Sequence, residues 1–494
     1  MVSTYPASSA CDILLINPPY NRRLGSGIVP PIGLGYIVSY LRNNGFVSYI
    51  LDCSLYFDDL SDSTLERMRN WLRIELGLHK PRFAIGIGPC TTPTVRSTRA
   101  IAETCRQVYP SIPEIFGGPL AVIPGQEWVF FEKFGASAIV KGDAEIPLRD
   151  ILINLRRGES LSKIRGVQIS ETCKTENFFV EDLNDLPYPA WDVFGLTRYK
   201  PSVRRDLFAN PFAPIVGSRG CPFSCGFCIS GQHIEYRRRS FEKTVNEIEY
   251  LRNTFGVRSL IFYDDALFAD MKRVNEDLRF FASLINEKTP GILWQIEIRP
   301  DLFSAISDDT IQYIFACGCR QMNIGVEKAS KNQLDAISKP YNTRDLKDAC
   351  KSVSRACPEM RLAGTFILGG PRETASSIRE TIELSKELNL LYAHFCPLEL
   401  YPGTPIYSSV FGQDQTKWYD RVVNDKWQWG EIIYEDEIIS AFQLIDFVHI
   451  AYSQFYRRKE WKDRAKRILG DNYEKIWSVA RLWKEDRFRL GGKK

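Results

Sequence analysis

Cys221, Cys225 and Cys228 stand four and three residues apart in the stretch GSRGCPFSCGFC, inside a chain that otherwise scatters its cysteines. Three thiolates so close in sequence can serve few purposes. A structural zinc site needs a fourth Cys or His at short spacing, closed tetrahedrally, and His233, five residues beyond Cys228, keeps that reading open. A nucleophile needs one cysteine and a base, which leaves the spacing unexplained. A 4Fe–4S cluster fits better: three thiolates can hold three irons while the fourth iron keeps an open site for a substrate or cofactor.

The remaining ten cysteines (Cys11, Cys53, Cys90, Cys105, Cys173, Cys317, Cys319, Cys350, Cys357 and Cys396) are spread along the chain, several inside apolar runs. They read as small buried hydrophobes. The N-terminal residues show no basic region ahead of an apolar one, so no signal peptide is read there, and the thiols are expected to be reduced in the cytoplasm. With 44% hydrophobic and 25% charged residues the composition is that of a folded protein, and no transmembrane segment is expected. A net charge of +4 on 64 basic and 60 acidic residues gives no case for nucleic acid as a partner. The run Arg237, Arg238, Arg239 could steer carboxylates, but it reads rather as a solvated charge run.

The elements that must position these cysteines follow from periodicity. The first third alternates apolar strands with helical patterns: DILLINPP, then PIGLGYIVSYLRNNG, VSYILDCS, RFAIGIGPC, PEIFGGP and ASAIVKGDAE with helices between. Such alternation predicts an α/β fold with a doubly wound parallel sheet, whose ligands lie outside the carboxyl ends of the strands. Those ends carry Asn17 and Pro18, Gly88 and Thr91, Gly117 and Gly118, and Gly142. Glycines there let backbone approach a bulky ligand. No GxGxxG follows the first strand, so a dinucleotide fingerprint is missing.

Residues 1–178 are therefore expected to form a Rossmann-like domain, and 179–205 a linker or hairpin. Alternation resumes over 206–405 with strands near 214–218, 259–264, 293–298, 321–327, 362–368 and 392–400. Six β/α units predict an open, partial barrel with its site at the strand C-termini, and the cysteine loop leaves the first of these. Residues 406–494 turn helical and aromatic (Trp418, Trp427, Trp429), and read either as a cap over the barrel mouth or as a helical appendage on its outside.

The cysteine spacing, with Phe227 before the last Cys and a partial barrel around it, resembles the radical S-adenosylmethionine superfamily. The segments YRRRSFEKTVNEIEYL, IFYDDALF, NIGVEKASKNQLDAISK, FILGGPRET and LYPGTPIY extend the likeness to the branch with an N-terminal cobalamin-binding domain, which LLINPPY, PPIGLGYIVSYL and FGGP also match. The resemblance implies that Cys221, Cys225 and Cys228 ligate the cluster, whose open iron takes S-adenosylmethionine. It further implies that Asp264 and Asp265 contact the methionine end of that cofactor, and that Glu327, Gly369 and Gly370 contact its adenosine or ribose. Other readings of the residues stand beside these: an Asp at a strand end also caps the next helix, whereas an inward Glu on a barrel strand needs a partner.

Under the same resemblance, the strand ends of the first domain would bind cobalamin. The Asp-x-His-x-x-Gly motif that places a histidine under cobalt is missing, and none of His79, His233, His394 and His449 follows the first strand. Cobalamin is therefore expected base-off, without a histidine ligand. The activity implied is methylation of an unactivated carbon of a small-molecule substrate, by way of a 5′-deoxyadenosyl radical and methylcobalamin, with an external electron donor such as flavodoxin or ferredoxin. The alternatives are an oxidative cyclase or rearrangement enzyme of the same domain order, a cobalamin-free radical enzyme, or a non-catalytic zinc protein. A methylthiotransferase acting on tRNA is disfavoured by the balanced charge and by the lack of an added basic domain.

Overall fold

The computed structural model describes residues 9–22, 26–412, 414–423 and 433–482. Trp427 and Trp429 lie outside the described residues. In the first domain β1 (Ser9–Asn17), β2 (Ser48–Asp52), β3 (His79–Ile87), β4 (Glu114–Gly117), β5 (Ala138–Val140) and β6 (Val167–Gln168) form one sheet in the order β2-β1-β3-β4-β5-β6. All neighbours are parallel except β6, which pairs antiparallel with β5 and was not expected. The order reverses between β1 and β3, which makes their carboxyl ends the switch point where such sheets bind ligands.

The continuous apolar runs follow from burial on both faces. Ile13 and Leu15 of β1 join a cluster with Leu34, Val38 and Leu41 of the helix Ile32–Asn43, while Leu14 and Ile16 join Leu65, Met68 and Leu72 of the helix Asp62–Leu78. Alternate residues of one strand thus feed two cores.

The second sheet holds β7 (Phe212–Ile215), β10 (Ser259–Phe262), β11 (Leu293–Ile298), β12 (Cys319–Glu327), β13 (Arg361–Leu368) and β14 (Tyr392–Pro397), all parallel and in sequential order. This is the expected open barrel. Between β7 and β10 a two-stranded antiparallel ribbon, β8 (Ser218–Arg219) and β9 (Arg237–Arg238), carries the cysteine loop.

An open barrel exposes an edge strand, and unpaired backbone groups there need partners. Here tyrosines of the helix Ala441–Tyr456 supply them. Tyr456 Oη accepts from Ala393 N at 3.1 Å and donates to Ala393 O at 2.9 Å, and Phe395 N donates to Tyr452 Oη at 3.3 Å. Trp461 Nε1 donates to Leu391 O at 2.8 Å. Earlier in the tail, Trp418 is buried and donates through Nε1 to Gln126 Oε1 of the first domain at 2.7 Å. One part of the described tail therefore seals the barrel edge and another packs on the first domain.

The barrel interior is filled from below. The turn Val203–Arg205 enters it, and Gln295 Nε2 and Gln321 Nε2 donate to Arg205 O and Arg204 O at 2.5 and 2.9 Å. Arg205 Nη2 pairs with Glu297 Oε1 at 2.5 Å. Ahead of this turn, Trp191 is fully buried and donates through Nε1 to Glu247 Oε1 at 2.9 Å.

Candidate functional site

The loop bearing Cys221, Cys225 and Cys228 is held in shape by main-chain contacts that exclude side chains. Gly220 has φ +73°, and a Cβ there would lie 2.4 Å from Glu235 O; at Gly231 it would lie 1.7 Å from Phe223 O. Gly226 N donates to Ile337 O at 2.8 Å, and Ile406 N donates to Gly226 O at 3.1 Å. Cys225 is buried and the other two are half-buried. Burial pushes the Cys221 thiol up to about 11 and raises that of Cys228, with Asp265 adding to both. These are donors that need a metal's charge to ionise.

Among the described residues no three His, Cys, Asp or Glu side chains converge on a single-ion site. A cubane asks for something different, one thiolate on each of three irons, and three thiols on one rigid loop fit that donor set. His233 is engaged elsewhere, its Nε2 2.8 Å from Gly403 O. Arg299, which sequence reasoning passed over, lies at the end of β11 with Nη1 3.5 Å from Cys225 Sγ.

Beyond β10, Asp264 is buried and accepts from Gly217 N at 2.9 Å and Ser218 Oγ at 2.6 Å through one oxygen, while its other oxygen is buried with no hydrogen-bond partner. Desolvation, partly countered by those hydrogen bonds, pushes its pKa up to about 7. Asp264 thus ties β10 to the start of the cysteine ribbon. Asp265 opens onto the barrel mouth beside Cys221 and Cys228, and burial of its carboxyl group raises its pKa.

Glu327 has φ +65°, follows a bulge in β12, and pairs with Lys339 Nζ at 2.7 Å. The inward carboxylate has its partner within the chain. Gly369 and Gly370 follow β13 with φ +90° and +143°. Lys328 fixes that turn: its Nζ donates to Gly369 O at 2.7 Å and pairs at 2.5 Å with Glu373 Oε2, and both side chains are fully buried. Burial lowers the Lys328 pKa despite the pairing.

The first-domain strand ends surround a cavity of about 380 Å³ lined by Gly88, Gly117, Gly118 and Gly142 together with Tyr36 and Leu148. Val216 and Arg219, which precede the cysteines, also line it. The lining is mostly apolar, and among the described residues it includes no histidine. Gly118 and Gly142 have φ +118° and +101°, and a Cβ on either would meet backbone at 2.4 and 2.0 Å, so side chains cannot enter there. The glycine cradle fits a bulky ligand. Three expected strand-end residues lie outside this lining. Asn17 Nδ2 donates to Asp52 Oδ1 at 2.7 Å, Pro18 is buried beside it, and Thr91 caps the turn before the helix Val95–Val108.

The arginine run is exposed only at Arg238, and at Arg237 and Arg239 the structure corrects the sequence reading. Arg237 and Arg239 are buried, because each meets a carboxylate across a packing boundary. Arg219 Nη1 lies 2.9 Å from Asp143 Oδ1 and its Nη2 2.7 Å from Glu145 Oε1; Arg237 pairs with Asp143 as well. Burial alone would raise the Asp143 pKa, but Arg219 and Arg237 outweigh it and the pKa is lowered. Arg239 pairs with Glu247 at 2.5 Å and donates to Tyr36 Oη at 3.1 Å. Asp143 and Glu145 follow β5, and their spacing at a strand end was the one signal of this bridge in the sequence.

Residues 215–385 match the family model of the radical SAM superfamily. The chain is 26% identical over 405 residues to an uncharacterised methyltransferase of Pyrococcus horikoshii, covering 80% of this chain and 82% of that one. It is 23% identical over 482 residues to the anaerobic magnesium-protoporphyrin IX monomethyl ester cyclase of Rubrivivax gelatinosus, covering 93% and 81%. Among solved structures it superposes on the radical S-adenosylmethionine methyltransferase TsrM of Kitasatospora setae, with cobalamin and a 4Fe–4S cluster bound, at TM-score 0.68 and 15% identity over 97% of this chain and 99% of that one. The cobalamin-dependent radical enzyme OxsB, with aqua-cobalamin and S-adenosylmethionine bound, superposes at TM-score 0.63 and 15% identity over 97% and 80%. At these identities the structural likeness is one of fold.

Proposed function

We propose that this chain, a member of the radical SAM superfamily, is a cobalamin-dependent methyltransferase acting on an unactivated carbon of a small molecule. The observation that carries the reading is the shared lining of the first-domain cavity: glycines of three strand ends on one side, and Val216 and Arg219, just ahead of the cysteines, on the other. The relatives' names and the fold of TsrM and OxsB support it.

When bound, the cluster with S-adenosylmethionine would supply radical chemistry, and cobalamin would supply the methyl group. The chain's own residues bind, orient and exclude. Cys221, Cys225 and Cys228 would hold the cluster, and the glycines at 220, 226 and 231 keep their loop tight against Glu235, Ile337 and Phe223. Asp265, at the mouth beside the cysteines, and the turn at Gly369 and Gly370 would receive S-adenosylmethionine. Asp264, Glu327 and Lys328 serve as positioning residues, since their bonds are to protein groups. Gly88, Gly117, Gly118 and Gly142 would cradle cobalamin. The cavity lining is mostly apolar and, among the described residues, has no histidine, which suits the expectation of base-off cobalamin without a histidine ligand.

No helix among the described residues is long and apolar enough to cross a membrane. A cytoplasmic enzyme fed by a flavodoxin or ferredoxin suits the many reduced, buried thiols. A second reading, an oxidative cyclase, is favoured by the cyclase relative that aligns with 93% of the chain. Products from S-adenosylmethionine separate them. Methyl transfer releases S-adenosylhomocysteine alongside 5′-deoxyadenosine in the reduced, cobalamin-loaded protein, whereas cyclisation releases 5′-deoxyadenosine alone.

A further inference from the structure

Arg299 occupies an unusual place among the described cations. Its guanidinium lies 3.9 Å from the centroid of Phe223, which sits between Cys221 and Cys225, and its Nη1 lies 3.5 Å from Cys225 Sγ. Asp301 grips the opposite side, with Nε to Oδ1 at 3.1 Å and Nη2 to Oδ2 at 3.2 Å. The side chain is 13% exposed, so its fork has a fixed direction. Burial works against its charge, but Asp301 and Cys225 outweigh burial and its pKa is raised.

We propose that Arg299 is a positioning residue that holds a permanent positive charge against the Cys225 sulfur and sets the reduction potential of the cluster, with Asp301 as the counterweight that limits the effect. This rests on the cluster reading above. Adding an electron makes the cluster and its thiolates more negative, and an N–H donor or cation at a ligating sulfur stabilises that state more than the oxidised one. A partly buried site screens the interaction little. Arg299 is thus a group against the cluster loop whose charge does not vary with pH. It also stacks on Phe223, which fixes the loop's backbone between the first two cysteines.

The test is the midpoint potential of the one-electron couple in the full-length reconstituted protein, poised with titanium(III) citrate and read by paramagnetic resonance of the reduced cluster. Arg299→Gln is expected to disfavour reduction about tenfold, a fall of 59 mV. Arg299→Lys, a charge without the fork, falls less. Asp301→Asn moves the potential the other way, upward, because it leaves Arg299 uncompensated. Unchanged potentials in the Gln and Asn variants, with iron and sulfide at wild-type content, would overturn the proposal. If Arg299→Gln fails to keep its cluster, Asp301→Asn decides: a rise supports the assignment and no rise overturns it. Wild-type protein without iron and sulfide would instead overturn the cluster reading on which it stands.

Discussion

Arg219 reaches across the domain boundary to place its Nη2 2.7 Å from Glu145 Oε1, two residues before the first cysteine of the loop. The same guanidinium lies over the ring of Tyr36, 5.0 Å from its centroid, and lines the first-domain cavity. Removing it strands the buried carboxylate of Glu145 and leaves Asp143 with Arg237 as its remaining cation. Arg219→Gln is expected to cost about 3 kcal/mol of stability and to weaken cobalamin retention at least tenfold; thermal denaturation and equilibrium dialysis check both. Retention at wild-type level would show that the bridge serves packing alone.

Gly117 differs from its neighbours in the cradle. A Cβ there meets only Val140 O at 3.5 Å and Val140 Cβ at 3.9 Å, ordinary contacts, and its φ is not left-handed. Gly117→Leu should therefore fold with a melting temperature near wild type and fill the cavity, so that cobalamin is lost while iron and sulfide are kept. Gly118→Ala, by contrast, is expected to unfold the domain, because its Cβ would lie 2.4 Å from Cys90 N.

Asp264 carries a pH signature. Its folded pKa, near 7 because of desolvation, lies above the ordinary 3.8, so the folded state binds the proton more tightly than the unfolded one. Its contribution is therefore most favourable at low pH and is lost as pH rises from about 4 to about 7. Asp264→Asn keeps an oxygen for Gly217 N and Ser218 Oγ and carries no charge. Relative to wild type its stability should improve across that window, by no more than about 4 kcal/mol, as read by melting of the cofactor-free protein. A difference that does not change with pH would contradict the assignment.

The edge of the barrel gives a third kind of prediction. Tyr456→Phe leaves both Ala393 N and Ala393 O without their hydroxyl partner. The expected loss is about 1–3 kcal/mol, accompanied by faster amide exchange along β14.

The fold was legible because both domains obey simple periodicity. The expected strands at 293–298 and 362–368 coincide within a residue with β11 and β13, since buried parallel strands are continuous apolar runs between helices. β6 escaped notice, because Val167–Gln168 is two residues long and pairs antiparallel with β5 only after an intervening helix. The cysteine loop announced itself by spacing alone. The bridge of Arg219, Arg237, Asp143 and Glu145 did not: a charge on a sequence looks solvated until the fold brings a partner from 74 residues away. Arg299 was hidden for the same reason, 74 residues from Cys225. Lys328 and Glu373 drew no reading from the sequence, yet both are fully buried.

The measurement that tests the central claim most directly is the iron, sulfide and cobalamin content of the anaerobically purified and reconstituted protein, followed by the products it makes from S-adenosylmethionine under reduction. The account predicts about four irons per chain, one cobalamin, and release of both S-adenosylhomocysteine and 5′-deoxyadenosine, with Cys221→Ala losing the iron and the 5′-deoxyadenosine together. A protein that binds the cluster but no cobalamin, and releases 5′-deoxyadenosine alone, would contradict the methyltransferase reading while leaving the radical chemistry intact.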